Sequence, residues 1–289
     1  MKTKAAAIRE KIMKLLLSAC GFMALLFVVI ITGFLIVSGI PAIREIGIKD
    51  FLFCTVWAST AETPSYGIMP FLLTSVYGTA GAILIGVPIG LLCAIYIAKM
   101  ANPKFAAIIR SAVELLAGIP SVVYGLVGMI VIVPLVQKLF NLPSGANLFS
   151  AIIVLAIMIL PSVISVSETA ITAVPREYEE ASLALGATKT ETVFKVVVPA
   201  AKSGIITAVV LGIGRAIGEA MAVMMVSGNV ANMPGLFKSV RFLTTAVASE
   251  MSYSSGLQRQ ALFSIALVLF VFILVINLFL NLVVKRKKG

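Results

Sequence analysis

Apolar residues run along this chain in long blocks separated by short polar stretches, with no alternation of the kind that marks half-buried strands. The blocks extend from Leu15 to about Ile40, from the PSYGIMP segment (Pro64 to Pro70) to Ala98, from Ser111 to Val136, from Leu148 to Ala173, from Ala200 to Ser227, and from Ala261 to Val284. Each reaches the roughly 20 residues that a helix needs to cross a hydrocarbon core. The pattern predicts an all-α polytopic membrane protein with six transmembrane helices and both termini on one side. The first block is longer than the core of a signal peptide and reads as an uncleaved span. In the second, Gly78, Gly81, Gly86 and Gly90 let a neighbouring helix approach closely, and Pro88 marks a kink. Pro120 and Pro134 fall inside the third block and Pro161 inside the fourth, with Lys99 to Arg110 as a short basic loop before the third.

One stretch breaks the pattern. Residues Pro175 to Lys202, PREYEEASLALGATKTETVFKVVVPAAK, form a polar island that cannot be a membrane span. Pro175 suits the first turn of a helix, Glu177, Glu179 and Glu180 sit at its electropositive end, and Gly186 supplies a stop. Thr188 and Glu191 then have the T-x-x-E spacing of a capping box, so a second helix begins there. A folded helix-turn-helix between two spans is more than a connector needs. It offers a surface that a soluble partner can grip.

Composition supports the membrane reading: 60% hydrophobic residues, a mean hydropathy of +1.11 and 12% charged residues lie outside the range of soluble domains. The net charge of +11 is spread through short loops and tails, without a basic groove or aromatic platform for nucleic acid. Sixteen of the 23 Lys and Arg fall in the N-tail, the 99–110 loop, the island and the C-tail. Six fall between the other spans, and Arg215 lies inside one. By the positive-inside rule, the island and both termini face the cytoplasm. Histidine is absent and the three cysteines show no metal or disulfide spacing, which argues against zinc, haem and Ser-His chemistry. No G-x-x-x-x-G-K-[ST] occurs, so the chain has no phosphate-binding loop of its own and no bound cofactor is expected.

Charges within the apolar blocks are the candidate functional residues. In GIGRAIGEAMAVMMVSGN, Arg215 and Glu219 are four residues apart, which places both on one helical face as an internal ion pair or as a pair lining a solute pathway. The planar fork of Arg215 suits an oxyanion, and Glu219 would repel one. Glu114 and Glu168 lie toward the cytoplasmic ends of the third and fourth blocks, with Glu114 spaced for a local salt bridge to Arg110. Hydroxyls of Ser121, Ser162, Ser165, Ser167 and Thr169 can join helices or touch a polar solute. Arg215, Glu219, Glu168 and Ser121 are taken as the pathway candidates.

Glu180, Ala181, Gly186 and Pro199, in the order E-A-x-x-x-x-G and V-x-x-P, resemble the EAA loop of ABC importer permeases, with Ser182 where a second alanine usually falls. ELLAGIPSVVYGL (Glu114 to Leu126), AIMILP (Ala156 to Pro161), AVPREYEEASLALGAT (Ala173 to Thr188), GRAIGEAMAVMMVSGN (Gly214 to Asn229) and ALFSIALVLFVFILVINL (Ala261 to Leu278) are together similar to the PstC family of phosphate ABC importer permeases. The sister PstA family shares several of these elements, but the AVMMVSGN and VVYG forms and the long outer loop favour PstC. Val127 departs from a tryptophan common in that family.

The resemblance implies a MetI-like, type I permease core over residues 66–284. Residues 1–65 carry the N-tail, first helix and outer loop, and 285–289 form a basic tail. It also implies a PstA-like permease partner, a dimer of ATPase subunits and an extracytoplasmic phosphate-binding protein. Glu177, Glu180, Ala181, Gly186 and Pro199 would then belong to the coupling segment that docks the ATPase, in a bacterial inner membrane. The alternatives are a permease for another oxyanion, such as molybdate or sulfate, and an ion-coupled secondary transporter in which Arg215, Glu219 and Glu168 relay ions. Six spans are few for the latter, and no inverted repeat is visible. A membrane-embedded enzyme lacks a catalytic constellation here.

Overall fold

A computed structural model describes residues 4–286, with side chains described for 9–278. The basic-tail residues Lys2, Lys4 and 285–288 lie outside that side-chain range. The described residues are mostly helical: α1 (Lys4–Ile46), α2 (Ile48–Phe53), α3 (Met69–Ile95), α4 (Pro103–Gly118), α5 (Ser121–Val127), α6 (Val133–Leu139), α7 (Leu148–Thr172), α8 (Arg176–Ala184), α9 (Lys189–Thr192), α10 (Val198–Ala200), α11 (Lys202–Gly218), α12 (Met221–Val226), α13 (Leu243–Glu250) and α14 (Gly256–Arg286). Wider π-type turns at Tyr96–Met100, Gly128–Ile132 and Val193–Val197 join some of these without a break in direction of winding. A two-residue hairpin ladder pairs Trp57 with Tyr66 and Ala58 with Ser65.

Among the described residues, five helices are long and apolar enough to cross a membrane, and Lys202–Gly218, bent by 70° from Lys189–Ala200, makes up to six if that pair counts as one span. α7 is the central span, with 61% of its apolar window buried, and it matches the fourth apolar block almost residue for residue. Asn147 caps it by accepting from the Ser150 N–H at 3.0 Å. The upper part of α7, from Leu148 to Met158, joins Ala222, Val223, Val226 and Phe242 in one core, and its lower part joins Ile95, Val113, Val193 and Val197 in another. α3 lies along α7 because its glycines leave no side chain between the two helices. A Cβ at Gly86 would stand 2.8 Å from Ile159 Cδ1 and 3.0 Å from the Ala156 carbonyl oxygen. In a lipid environment such close packing, rather than escape from water, holds helices together.

The third block is not one helix. Ile119 is extended (ψ 127°), as the residue before Pro120 is biased to be, and Pro120 supplies no N–H to continue the ladder. The chain therefore makes a separate helix at Pro103–Gly118, and the third span is Ser121–Leu139. The expected loop at Lys99–Arg110 is corrected accordingly: it is the end of the second span followed by the start of α4, capped by the Asn102 side chain. Val127 lines an apolar cleft of about 230 Å³ with Leu116, Tyr124, Ile132 and Ile157.

Residues 41–66 do more than link two spans. Phe51, Trp57 and Tyr66 pack with Ile68, Phe71, Leu243, Ala246 and Leu262 into a third core where α3 begins.

Candidate functional site

The polar island folds as its capping signals predict. α8 ends at Leu185, Gly186 takes a left-handed φ of 86°, and α9 begins at a capping box in which Thr188 Oγ1 accepts from the Glu191 N–H and Glu191 accepts from the Thr188 N–H. Lys195 closes on the same carboxylate at 3.0 Å. Glu191 is held down to a pKa of about 2, first by the Thr188 backbone N–H and then by Lys195.

Burial along α8 shows which side faces the chain. Of its nine residues only Glu179 and Ser182 are partly covered. Glu179 forms an ion pair with Lys99 at the end of the second span, and the Ser182 hydroxyl lies 3.0 Å from that of Thr192. The serine at the position of the expected alanine thus ties α8 to α9. Glu177, Glu180 and Ala181 point away, as do Tyr178 and Leu183, and Leu185 is 90% exposed. Pro199, exposed in α10, lies where the hairpin bends into α11. Glu179 and Lys99 are the residues that sequence reasoning missed. The i, i+3 spacing of Glu179 and Ser182 on an otherwise open helix was the available signal.

Within the bundle, Arg215 lies in the last turn of α11 and reaches Ser162 of α7, Nη1 to Oγ 3.4 Å. Glu219 does not share its helical face. The helix ends at Gly218, Glu219 is extended (ψ 127°), and its carboxylate turns forward to accept from the Ala222 N–H at 2.9 Å. Two glycines, Gly214 and Gly218, weaken this last turn, and the capped N-terminus of α12 captures the side chain instead. The Glu219 carbonyl accepts from Thr244 Oγ1 at 2.7 Å, which fixes the break against α13. Ser121 opens α5, which packs on α12 so closely that a Cβ at Gly125 would lie 2.8 Å from Ala222 Cα.

Glu168 lies near the end of α7. It pairs with Arg110 across α4 and α7, and Glu114 lacks the local bridge that its spacing suggested. Arg110, Glu114, Ser165, Glu168, Thr169 and Thr172 line a polar cleft of about 580 Å³. Thr169 Oγ1 donates to the Ser165 carbonyl of its own helix, 2.8 Å, rather than across to another.

At the end of the bundle where α3 begins, Glu250 gathers three donors. Arg241 pairs with it, Trp57 Nε1 donates at 3.3 Å and Gln258 Nε2 at 3.1 Å. Arg241 also donates to the Asn229 carbonyl and stands over the Phe71 ring, 5.8 Å from its centre. Among the described residues no cluster of His, Cys, Asp or Glu has the makings of a metal site.

Residues 86–289 match the family described as the binding-protein-dependent transport system inner membrane component. A probable ABC transporter permease protein, YqgH of Bacillus subtilis (strain 168), is 36% identical over 95% of this chain and 91% of its own length. The phosphate transport system permease protein PstC of Haemophilus influenzae is 38% identical over 82% of this chain and 81% of its own length. Among solved structures, a bacterial alginate ABC transporter in complex with a periplasmic protein superposes with a TM-score of 0.65 at 16% identity, covering 99% of this chain and 98% of that one. The MetNI methionine ABC transporter in an inward-facing conformation gives 0.57 at 20% identity, covering 76% and 94%. These likenesses carry the fold, and the family match with the sequence relatives carries the assignment. The chain belongs to the binding-protein-dependent transport system inner membrane components, as a permease subunit of an ABC transporter.

Proposed function

We propose that this permease carries phosphate into the cell as one half of a translocation pathway completed by a PstA-like permease. A dimer of cytoplasmic ATPase subunits drives it, and an extracytoplasmic phosphate-binding protein delivers the solute. The observation that carries the choice of an oxyanion is Arg215: a guanidinium within a membrane helix whose hydrogen-bond partner is a neutral hydroxyl, on a chain whose relatives include PstC proteins. A charge at that depth is costly unless it is paired or wet, and a transient anion supplies the pair. Glu219, Ser121 and Glu168 line or flank the same route, with Glu219 holding the helix break and Glu168 on the inner side.

The exposed face of α8, with Glu177, Glu180 and Ala181 around a bare Leu185, and the turn at Gly186 take the ATPase. Pro199 sets the bend through which the hairpin joins α11. The hairpin and both termini are cytoplasmic, by the distribution of Lys and Arg. The ATP-hydrolysing chemistry then resides in the partner subunit.

The test is uptake of labelled phosphate into proteoliposomes holding the four components, with ATP inside. Uptake that requires ATP, survives collapse of the proton gradient and is not displaced by excess sulfate or molybdate upholds the reading. Displacement by either anion reassigns the solute, and uptake that follows the proton gradient alone overturns ATP coupling. Labelling of Thr188→Cys only by an impermeant reagent outside the cell would overturn the topology.

A further inference from the structure

Lys99 is an uncommon lysine. It stands at the end of a membrane span, yet its side chain is only 14% exposed, and its partner Glu179 is 27% exposed on a helix where every residue but Glu179 and Ser182 is open. Covering a lysine costs its hydration, which an ion pair offsets only when something holds the two groups together. Ser182 reaches a residue of the same hairpin, ten positions on. Among the described residues, Lys99–Glu179 is thus the one ion pair that joins α8 to a membrane span, across 80 positions of sequence.

The span that Lys99 ends is continuous. Met69–Met100 winds through 32 residues, roughly 48 Å at about 1.5 Å per residue, with the π-type turn at its inner end. Its outer end is gripped as firmly as its inner one. Buried Ser75 Oγ accepts from the Leu243 N–H at 3.0 Å, and buried Phe71 lies under Arg241. Leu243 opens α13, and the next residue, Thr244, holds the Glu219 carbonyl at the break between α11 and α12. A shift of α8 therefore has a contiguous route, by way of Lys99, α3, Ser75 and α13, to the backbone of Glu219, four residues after Arg215.

We infer that Lys99 is a positioning residue for transport: its ion pair with Glu179 makes the second span follow the coupling helix, so that ATPase movement reaches the helix break as well as α11. This rests on the reading of the chain as an ATP-driven phosphate permease. Lys99 touches neither solute nor ATPase in this role. Removing it should leave assembly intact while uncoupling hydrolysis from uptake.

The experiment uses the complete reconstituted transporter and compares Lys99→Met, Glu179→Gln and the exchanged pair Lys99→Glu with Glu179→Lys. In each single variant the ATPase should co-purify at unchanged stoichiometry, and basal hydrolysis should persist. Acceleration by phosphate-loaded binding protein and phosphate uptake should fall by about tenfold, the scale of coupling through a packed network. The exchanged pair should recover most of both. Uptake near the unaltered rate in the single variants overturns the inference, as does loss of the ATPase from the complex, or an exchanged pair no better than the singles. Absence of phosphate uptake by the unaltered transporter would instead count against the function proposed above, so the two failures are distinct.

Discussion

Arg215 Nη1 lies 3.4 Å from Ser162 Oγ, and that hydroxyl is its hydrogen-bond partner within the chain. A hydroxyl satisfies one donor but neutralises no charge, so the guanidinium keeps four further N–H groups for something else. Arg215→Gln is therefore expected to leave assembly with the partner subunits unchanged and to lower phosphate uptake by about 100-fold, the loss typical of removing a charge-stabilising donor. Ser162→Ala should lower it by only about twofold to threefold, since the arginine remains. Size-exclusion chromatography beside proteoliposome uptake separates the two effects, and failed assembly of Arg215→Gln would assign the residue to packing.

Glu219 has a different job from its neighbour, and two substitutions separate its shape from its charge. Its Oε1 caps the Ala222 N–H at 2.9 Å. Glu219→Ala removes the cap and should cost about 1 kcal/mol of stability, read as a lower melting temperature in nanodiscs. Glu219→Gln keeps an acceptor in place and should melt with the unaltered protein. Any change in its uptake is then a charge effect on the pathway. Equal melting of the alanine variant would refute the cap.

How far the sequence discloses this site depends on the range of the forces involved. The α8–Gly186–α9 hairpin was legible because its signals are local: a proline before the first turn, a left-handed glycine, and a T-x-x-E box acting over three residues. The bounds of α7 were legible because an apolar block of that length ends at polar residues on both sides. Pairings set by tertiary packing were not. Arg110 passes over Glu114 on its own helix for Glu168, and Lys99 finds Glu179 far along the chain. A proline inside an apolar run can kink a helix or end it, and the local sequence does not decide which; at Pro120 the helix ends, α4 stopping at Gly118 and α5 starting at Ser121. Glu219 departs from the expected face for a related reason: helical periodicity holds only as far as Gly218, where the helix stops.

The capping box gives the hairpin a pH dependence. The carboxyl of Glu191 is lowered from its ordinary 4.5 to about 2, mainly by the Thr188 N–H and then by Lys195. A carboxylate depressed on folding contributes stability that is fully present above the unfolded value and disappears as pH falls through the folded one. Local stability of the hairpin should therefore be level from neutral pH down to about 4.5 and decline between there and about 2. Glu191→Gln should show no such decline. Hydrogen exchange over residues 188–198, corrected for intrinsic rates, reads both, and a decline that persists in the glutamine variant would place its origin elsewhere.

Glu250 gathers the polar network where α3 begins onto one side chain, and the only tryptophan of the chain reports on it. The carboxylate takes Arg241, Trp57 Nε1 and Gln258 Nε2, and Trp57 in turn packs edge-on to Tyr66 at 5.5 Å and against Phe71 at 5.5 Å. Removing the acceptor leaves a largely covered guanidinium and an indole N–H without their partner, which costs more than the pair contributed. Glu250→Ala should thus lose about 2–4 kcal/mol of stability at that end of the bundle, with Trp57 emission shifted to the red as water reaches the ring. Glu250→Gln keeps an acceptor for the indole but no charge for Arg241, so its emission should shift less while its melting temperature still falls. An unchanged spectrum in Glu250→Ala would mean that the apolar packing of Trp57 against Tyr66 and Phe71, not the carboxylate, holds the Trp57–Tyr66 ladder in its core.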